Sequence, residues 1–324
     1  MRALPLLSLL IGSCLAMKVQ AAPDAAQWLD RLSGAEHTQS FQGTFVYERS
    51  GSFSTHDIWH LADHGKVTER VLQLDGSAQE VLRSAGVTQC VSGSLVPGVN
   101  AVPGSSHREF DPLKLMSWYD LKVAGRSRVA GRPAVIVTLT PKDSNRYGFE
   151  LHLDEQTALP LKSLLLTERG QLLERFQYTR FNTREPSAED LAASRNCKPV
   201  VAEARPAAAE QAPQPLAALG WRSDWLPAGF ELVESQVGKA ADNGVPLTRL
   251  MYDDGLTRFS VFFEPLQGAQ ASDARTQLGP TSAVSRRQST ADGDVMVTVV
   301  GEVPLGTAER VALSMHPLPA QPRQ

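Results

Sequence analysis

Between Phe41 and Phe181 the chain is cut into short segments by two-residue turn signals, and this punctuation limits the fold more than any other feature. Phe41, Gly43, Phe45 and Tyr47 alternate with Gln42, Thr44 and Glu48, the period of a half-buried strand. His64-Gly65 precedes a strand over Val67–Leu74, Asp75-Gly76 is a strong hairpin signal, and Ala85-Gly86 separates Val81–Arg83 from Val87–Val91. Further strands are expected at Leu121–Ala124, Ala134–Thr140, Tyr147–Leu153, Leu161–Thr167 and Leu172–Phe181. Asp143-Ser144-Asn145, Asp154–Thr157 and Arg169-Gly170 supply their turns. Parallel neighbours need a crossover of about a dozen residues, so hairpins this tight are antiparallel. The spacing predicts an up-and-down antiparallel sheet. Two helical patterns go with it. One is Asp24–Ala35, with Trp28, Leu29 and Leu32 on one stripe and Gly34 as a stop; the other is Leu113–Tyr119 after Pro112. Ser92–Ser106, with Gly and Pro spread through it, reads as a loop.

The first 21 residues read as an address. Arg2 precedes an apolar run, Leu4–Ala16, too short for a membrane span, and Val19-Gln20-Ala21 fits a signal peptidase site. Cleavage is expected between Ala21 and Ala22, and this reading is preferred over a lipobox ending at Cys14. Residues 22–198 then form the large domain. Residues 199–218 carry Pro199, Pro206, Pro213 and Pro215 among alanines, a semi-extended linker. Residues 219–318 form a second, smaller mixed β/α domain, and 319–324 a tail. Strands are expected at Phe230–Val237, Thr248–Tyr252, Arg258–Glu264, Ala283–Gln288 and Asp294–Gly301, and a helix over Pro304–Met315. The class is α+β, mostly antiparallel β, and such a linker lets the second domain move as a clamp.

Chemistry is scarce. No two glycines stand two or four positions apart, which removes the dinucleotide fingerprint GxGxxG and the nucleophile elbow GxSxG. No Walker A, HExxH or SxxK pattern occurs, so no catalytic residue and no cofactor is expected. His56, His60 and His64 share one face of a strand but stand about 13 Å apart per step, too far to share an ion; they read as solvated histidines, and no metal is expected. A formal charge of −3 excludes a general nucleic-acid footprint. Once Cys14 leaves with the leader, Cys90 and Cys197 remain, either bonded or as two partly buried thiols.

A resemblance adds to this. Tyr147-Gly148-Phe149-Glu150-Leu151-His152-Leu153-Asp154, Thr157-Ala158-Leu159-Pro160-Leu161-Lys162-Ser163 and Glu174-Arg175-Phe176-Gln177-Tyr178 resemble the RseB/MucB family. So do Leu226-Pro227-Ala228-Gly229-Phe230, Phe259–Pro265 and Val297–Pro304. Ala158 stands where a turn glycine is expected. The resemblance implies a large domain of the LolA/LolB type, an unclosed half-barrel over helices. It also implies a periplasmic, non-enzymatic regulator of an envelope-stress sigma factor that controls alginate. Such a protein binds the periplasmic segment of a MucA/RseA-like anti-sigma factor and shields it from site-1 proteolysis. Lipid, lipopolysaccharide or mislocalised lipoprotein would release it. The alternative is a lipid or lipoprotein carrier; homodimerisation stays open. An apolar cavity is expected along Phe41, Phe45, Tyr47, Trp59, Leu164 and Leu166. Residues 219–318 are expected to be needed for the partner, with Trp225, Phe230, Arg286 and Arg287 as anchors.

Overall fold

The computed structural model describes residues 24–77, 79–93, 111–200, 213–239, 244 and 246–318. Ala21, Ala22, Cys14, most of the Ser92–Ser106 loop, the middle of the linker and the tail lie outside them.

Helix α1 (Ala25–Thr38) starts on Asp24, whose carboxylate accepts from the Gln27 amide at 2.9 Å. It buries Trp28, Leu29 and Leu32, but runs through Gly34 rather than stopping there. Packing of Ala35 and Glu36 outweighs the weak helix preference of one glycine. Five strands follow: β1 (Phe41–Arg49), β2 (Ser52–Asp63), β3 (Lys66–Gln73), β4 (Glu80–Ser84) and β5 (Val87–Ser92). After α2 (Pro112–Trp118) come β6 (Tyr119–Val129), β7 (Arg132–Pro141), β8 (Gly148–Asp154), β9 (Pro160–Leu166), β10 (Leu172–Asn182) and the two-residue β11 (Lys198–Pro199).

All eleven make one open antiparallel sheet, in the order β11-β5-β4-β3-β2-β1-β10-β9-β8-β7-β6. The half-barrel is therefore not one simple meander. Two meanders run outward from the centre and join through β1 and β10, with Gln42 opposite Asn182 and Arg49 opposite Glu174. The turn from β8 to β9 is held by Asp154, whose Oδ1 accepts from the Gln156 and Thr157 amides at 3.1 and 2.9 Å. Ala158, in that turn, has a φ of 62°, the left-handed region a glycine would favour. Cys90 and Cys197 are bonded, with Cα atoms 5.4 Å apart, which fastens the end of the large domain to β5.

In the second domain β12 (Trp221–Ser223) leads to β13 (Glu231–Lys239), β14 (Pro246–Asp253), β15 (Arg258–Pro265), β16 (Ala274–Leu278), β17 (Thr281–Thr290) and β18 (Gly293–Gly301). Then come α3 (Leu305–Ser314) and β19 (Met315–Pro317). The sheet order is β13-β14-β15-β18-β17-β16, while β12 and β19 form a separate ribbon. One face carries Leu250, Phe259, Val261, Val297 and Val299, covered by Ala308, Val311 and Ala312 of α3. Each such fully buried Leu, Val or Phe contributes about 1.5–3 kcal/mol.

The second domain is docked on the first. Leu256, from the β14–β15 turn, belongs to the core made by Trp28, Leu29, Leu115, Tyr119 and Leu153 of the large domain. The two halves of the expected clamp thus meet in a shared core. A linker's composition describes the tether and says nothing of the surfaces it brings together.

Candidate functional site

The concave face of the large sheet is an aromatic wall. Phe41 and Phe45 of β1 meet Phe176, Tyr178 and Phe181 of β10, with centroids 4.8 Å apart for Phe45–Phe176 and 4.9 Å for Tyr178–Phe181. The register sets who joins them. Phe41 is opposite His60 and Phe45 opposite His56, so His56, Ile58 and His60 share the concave face. Trp59 therefore points to the other side, where Arg70 lies 5.0 Å from its ring. Phe176 is opposite Ser163, which sends Leu164 and Leu166 to that outer side as well. The six expected lining residues thus divide into two sets on opposite faces. Phe41, Phe45 and Tyr47 are brought together; Trp59, Leu164 and Leu166 are not. A one-residue slip in the expected phase of a strand exchanges its faces.

His60 is also a correction. It is 3% exposed rather than solvated, and stacks on Phe41 with centroids 4.4 Å apart. Its Nε2 lies 2.9 Å from the Glu36 carbonyl oxygen and its Nδ1 3.3 Å from Glu69. Burial, helped by the charge of Glu69, pushes the Glu36 carboxyl up to about 8. His56 is held below its ordinary value by burial, and His64 sits exposed in the turn beside Asp63. Tyr47, at the other end of the wall, donates to Glu174 at 2.7 Å.

The four expected anchors of the second domain have different surroundings. Trp225 is partly buried, with Arg310 4.0 Å from its ring. Phe230 is buried against Phe259 at 5.0 Å. Arg286 donates to Asp273 and Glu309, both at 2.7 Å, and Arg287 is paired with Asp294. The last two are therefore strapped to their own domain.

The domain junction has no counterpart in the expectations. Arg146, in the β7–β8 turn, is 1% exposed and donates to Asp254 of the second domain at 2.8 Å. Tyr119 donates to the same Asp254 oxygen at 3.2 Å, and Arg146 also reaches the Ala228 carbonyl. At the rim Lys114 meets Glu231 at 2.7 Å. Further along, the β1–β2 turn faces the β16–β17 turn, where Arg49 donates to Thr281. Between them lies a recess of about 440 Å³ lined by Glu48, Ser50, Leu172, Leu173, Gln277 and Leu278. The sequence held one clue to the junction: Asp253-Asp254-Gly255 carries more acid than a turn needs, and Asp254 is fully buried.

An open half-barrel with a second sheet locked against it is a two-module scaffold that offers faces, edges and a shared junction to other molecules. The chain belongs to the MucB/RseB family: the MucB/RseB N-terminal domain matches residues 24–202 and the MucB/RseB C-terminal domain residues 215–316. It is 56% identical over 313 residues to the sigma factor AlgU regulatory protein MucB of Pseudomonas aeruginosa, covering 96% of each chain. The structure of the P. aeruginosa MucA/MucB complex matches with a TM-score of 0.78 at 55% identity, covering 91% of this chain and 99% of that one. A crystal structure of MucB matches with a TM-score of 0.65 at 54% identity, covering 90% and 98%.

Proposed function

We propose that this protein is a periplasmic negative regulator of an envelope-stress sigma factor of the alginate-controlling type. It holds the periplasmic segment of a membrane anti-sigma factor and shields that segment from site-1 proteolysis. The observation that carries this reading is the end-to-end correspondence with MucB, both domains included, together with the likeness to MucB bound to MucA. A disulfide in the large domain suits an oxidising compartment, and no helix among the described residues is long and apolar enough to cross a membrane. The action is binding: a segment held against this surface cannot enter a protease cleft.

Lipid or mislocalised lipoprotein acts as the release signal by favouring a form with lower partner affinity. A coupling of about 1–3 kcal/mol shifts affinity roughly 5–150-fold, enough for a switch poised near half occupancy. A carrier of lipids or lipoproteins would use the same concave face, but a second domain sharing its core favours the regulator. The test is cleavage of the anti-sigma segment by purified site-1 protease, alone, with the mature protein, and with lipopolysaccharide added. Protection that lipopolysaccharide reverses is expected. Equal cleavage with and without the protein would remove the shield, and protection indifferent to lipid would remove the sensor.

A further inference from the structure

The two domains meet through a knot of groups that is complete only when they are docked. Arg146 stands in an aromatic box, with Trp118, Tyr119 and Phe230 centroids 5.4, 5.6 and 5.1 Å from its guanidinium carbon. Two of those rings come from the large domain and one from the small. Its Nε and Nη2 donate to the Asp143 carboxylate at 3.1 and 3.2 Å, which leaves Nη1 and part of Nη2 for the other domain. There Asp254 Oδ2 takes Nη1, and the Ala228 carbonyl takes Nη2. The second Asp254 oxygen accepts from the Leu256 and Thr257 amides at 2.9 and 2.8 Å, so this carboxylate also sets the turn that carries Leu256 into the large domain.

A buried ion pair is strongly destabilised when one partner is taken away, because a charge is left uncompensated in apolar surroundings. A partial separation also costs: Arg146 keeps Asp143 and Asp254 keeps its turn amides, but Arg146 Nη1 and Asp254 Oδ2 lose each other before water can reach them. Such a joint has two states, fully docked or parted and wet, with little between. This chain matches the P. aeruginosa MucA/MucB complex structure at a TM-score of 0.78 and a further MucB crystal structure at 0.65, at nearly equal identity and coverage. Those two structures therefore differ from each other.

We propose that the Arg146–Asp254 clasp sets partner affinity: the docked arrangement holds the anti-sigma segment, and parting the clasp releases it. The proposal rests on the reading of the chain as an anti-sigma-binding regulator. The clasp also borders the concave core, since Tyr119 contributes to both and Leu256 packs with Leu115. A ligand that displaces Leu115 or Tyr119 thereby loosens the same joint that keeps the partner bound.

The test uses the mature full chain. Arg146→Met keeps an apolar stem in the aromatic box and drops the charge. Solution scattering should show a larger radius of gyration, while circular dichroism stays that of the folded protein. Affinity for the anti-sigma periplasmic segment should fall at least about tenfold, in proportion to the fraction left docked. Lys114→Cys with Glu231→Cys, bridged by a bis-maleimide in the Arg146→Met background, should restore both docking and affinity. Should Arg146→Met fail to fold, Tyr119→Phe in the Lys114→Cys, Glu231→Cys chain weakens the joint from its edge while unbridged, and bridging that chain gives the same comparison. Unchanged affinity in an opened variant, or weak binding in the bridged and re-docked one, overturns the proposal. No binding by the unmodified protein overturns the reading beneath it, and is told apart because the scattering change remains.

Discussion

Gly229 lies against Trp118 so closely that a methyl group on it would stand 2.3 Å from the indole Nε1 and Cε2. Gly229 also has a φ of +84°, so alanine there meets two penalties. The left-handed backbone costs about 1–2 kcal/mol and forcing the ring aside about 1–3 kcal/mol. Gly229→Ala is expected to destabilise the protein in urea unfolding, and to cost less when Trp118→Ala has removed the ring. Losses that simply add, within about 0.5 kcal/mol, would mean that the two residues do not press on each other.

The two faces of the large sheet differ in what they tolerate. Phe45 is 1% exposed within the aromatic wall, whereas Leu164 is half-buried on the outer side. Phe45→Ala should lower stability by about 3–5 kcal/mol. Leu164→Ala should cost well under half of that, since less area leaves water and no enclosed cavity forms. Urea midpoints at constant slope decide it. A Leu164→Ala loss equal to that of Phe45→Ala would put both side chains in one core.

Glu36 makes stability fall as pH rises. Its carboxyl titrates near pH 8 in the folded protein against an ordinary value of 4.5. Below about pH 4.5 both folded and unfolded chains hold the proton, and the contribution is fully present. Between there and pH 8 only the folded chain keeps it, so stability drops by at most about 1.4 kcal/mol per unit. Above pH 8 the loss is complete. Glu36→Gln should therefore melt higher than the unmodified protein at pH 8 and alongside it at pH 4. Melting curves for the two proteins that run parallel across this range would refute the assignment.

The bond between Cys90 and Cys197 spans 107 residues of sequence. Loops of that length gain the most from closure, and loss of a native disulfide typically costs about 2–5 kcal/mol. Cys90→Ser with Cys197→Ser should lower the unfolding free energy by that amount, and added reductant should have no further effect on the variant. A reductant that shifts both proteins equally would show that the bond is not what holds β11 on β5.

Local features were legible and distant ones were not. His64-Gly65 and Ala85-Gly86 mark real two-residue turns, because such a hairpin is specified by the residues inside it, whereas Asp75-Gly76 lies in a wider connection between Gln73 and Glu80. The pairing of β1 with β10 was not readable, since nothing in Gln42 announces Asn182. β16 was missed for a different reason: all five residues are exposed, so no alternation is written into Ala274–Leu278. The phase of β9 was misread because Leu164, Leu165 and Leu166 are alike, and only the opposite strand tells inner from outer. Arg146 sits in an irregular turn whose meaning depends on Asp254, a residue of another domain. The family likeness supplied the function that spacing alone could not.

The union of β1 and β10 has a consequence for how the chain is made. A polypeptide appears amino end first, so the strands from β1 to β5 exist before β10 has been delivered. During that interval β1 has β2 on one side and an unsatisfied row of amides and carbonyls, with Phe41 and Phe45 beside it, on the other. Such a nascent edge invites any passing strand, and its rightful neighbour arrives late and from far along the sequence. Biogenesis of this protein is thus a race between Gln42 waiting for Asn182 and every competitor in the vicinity, a race that escort by a holding chaperone would tilt.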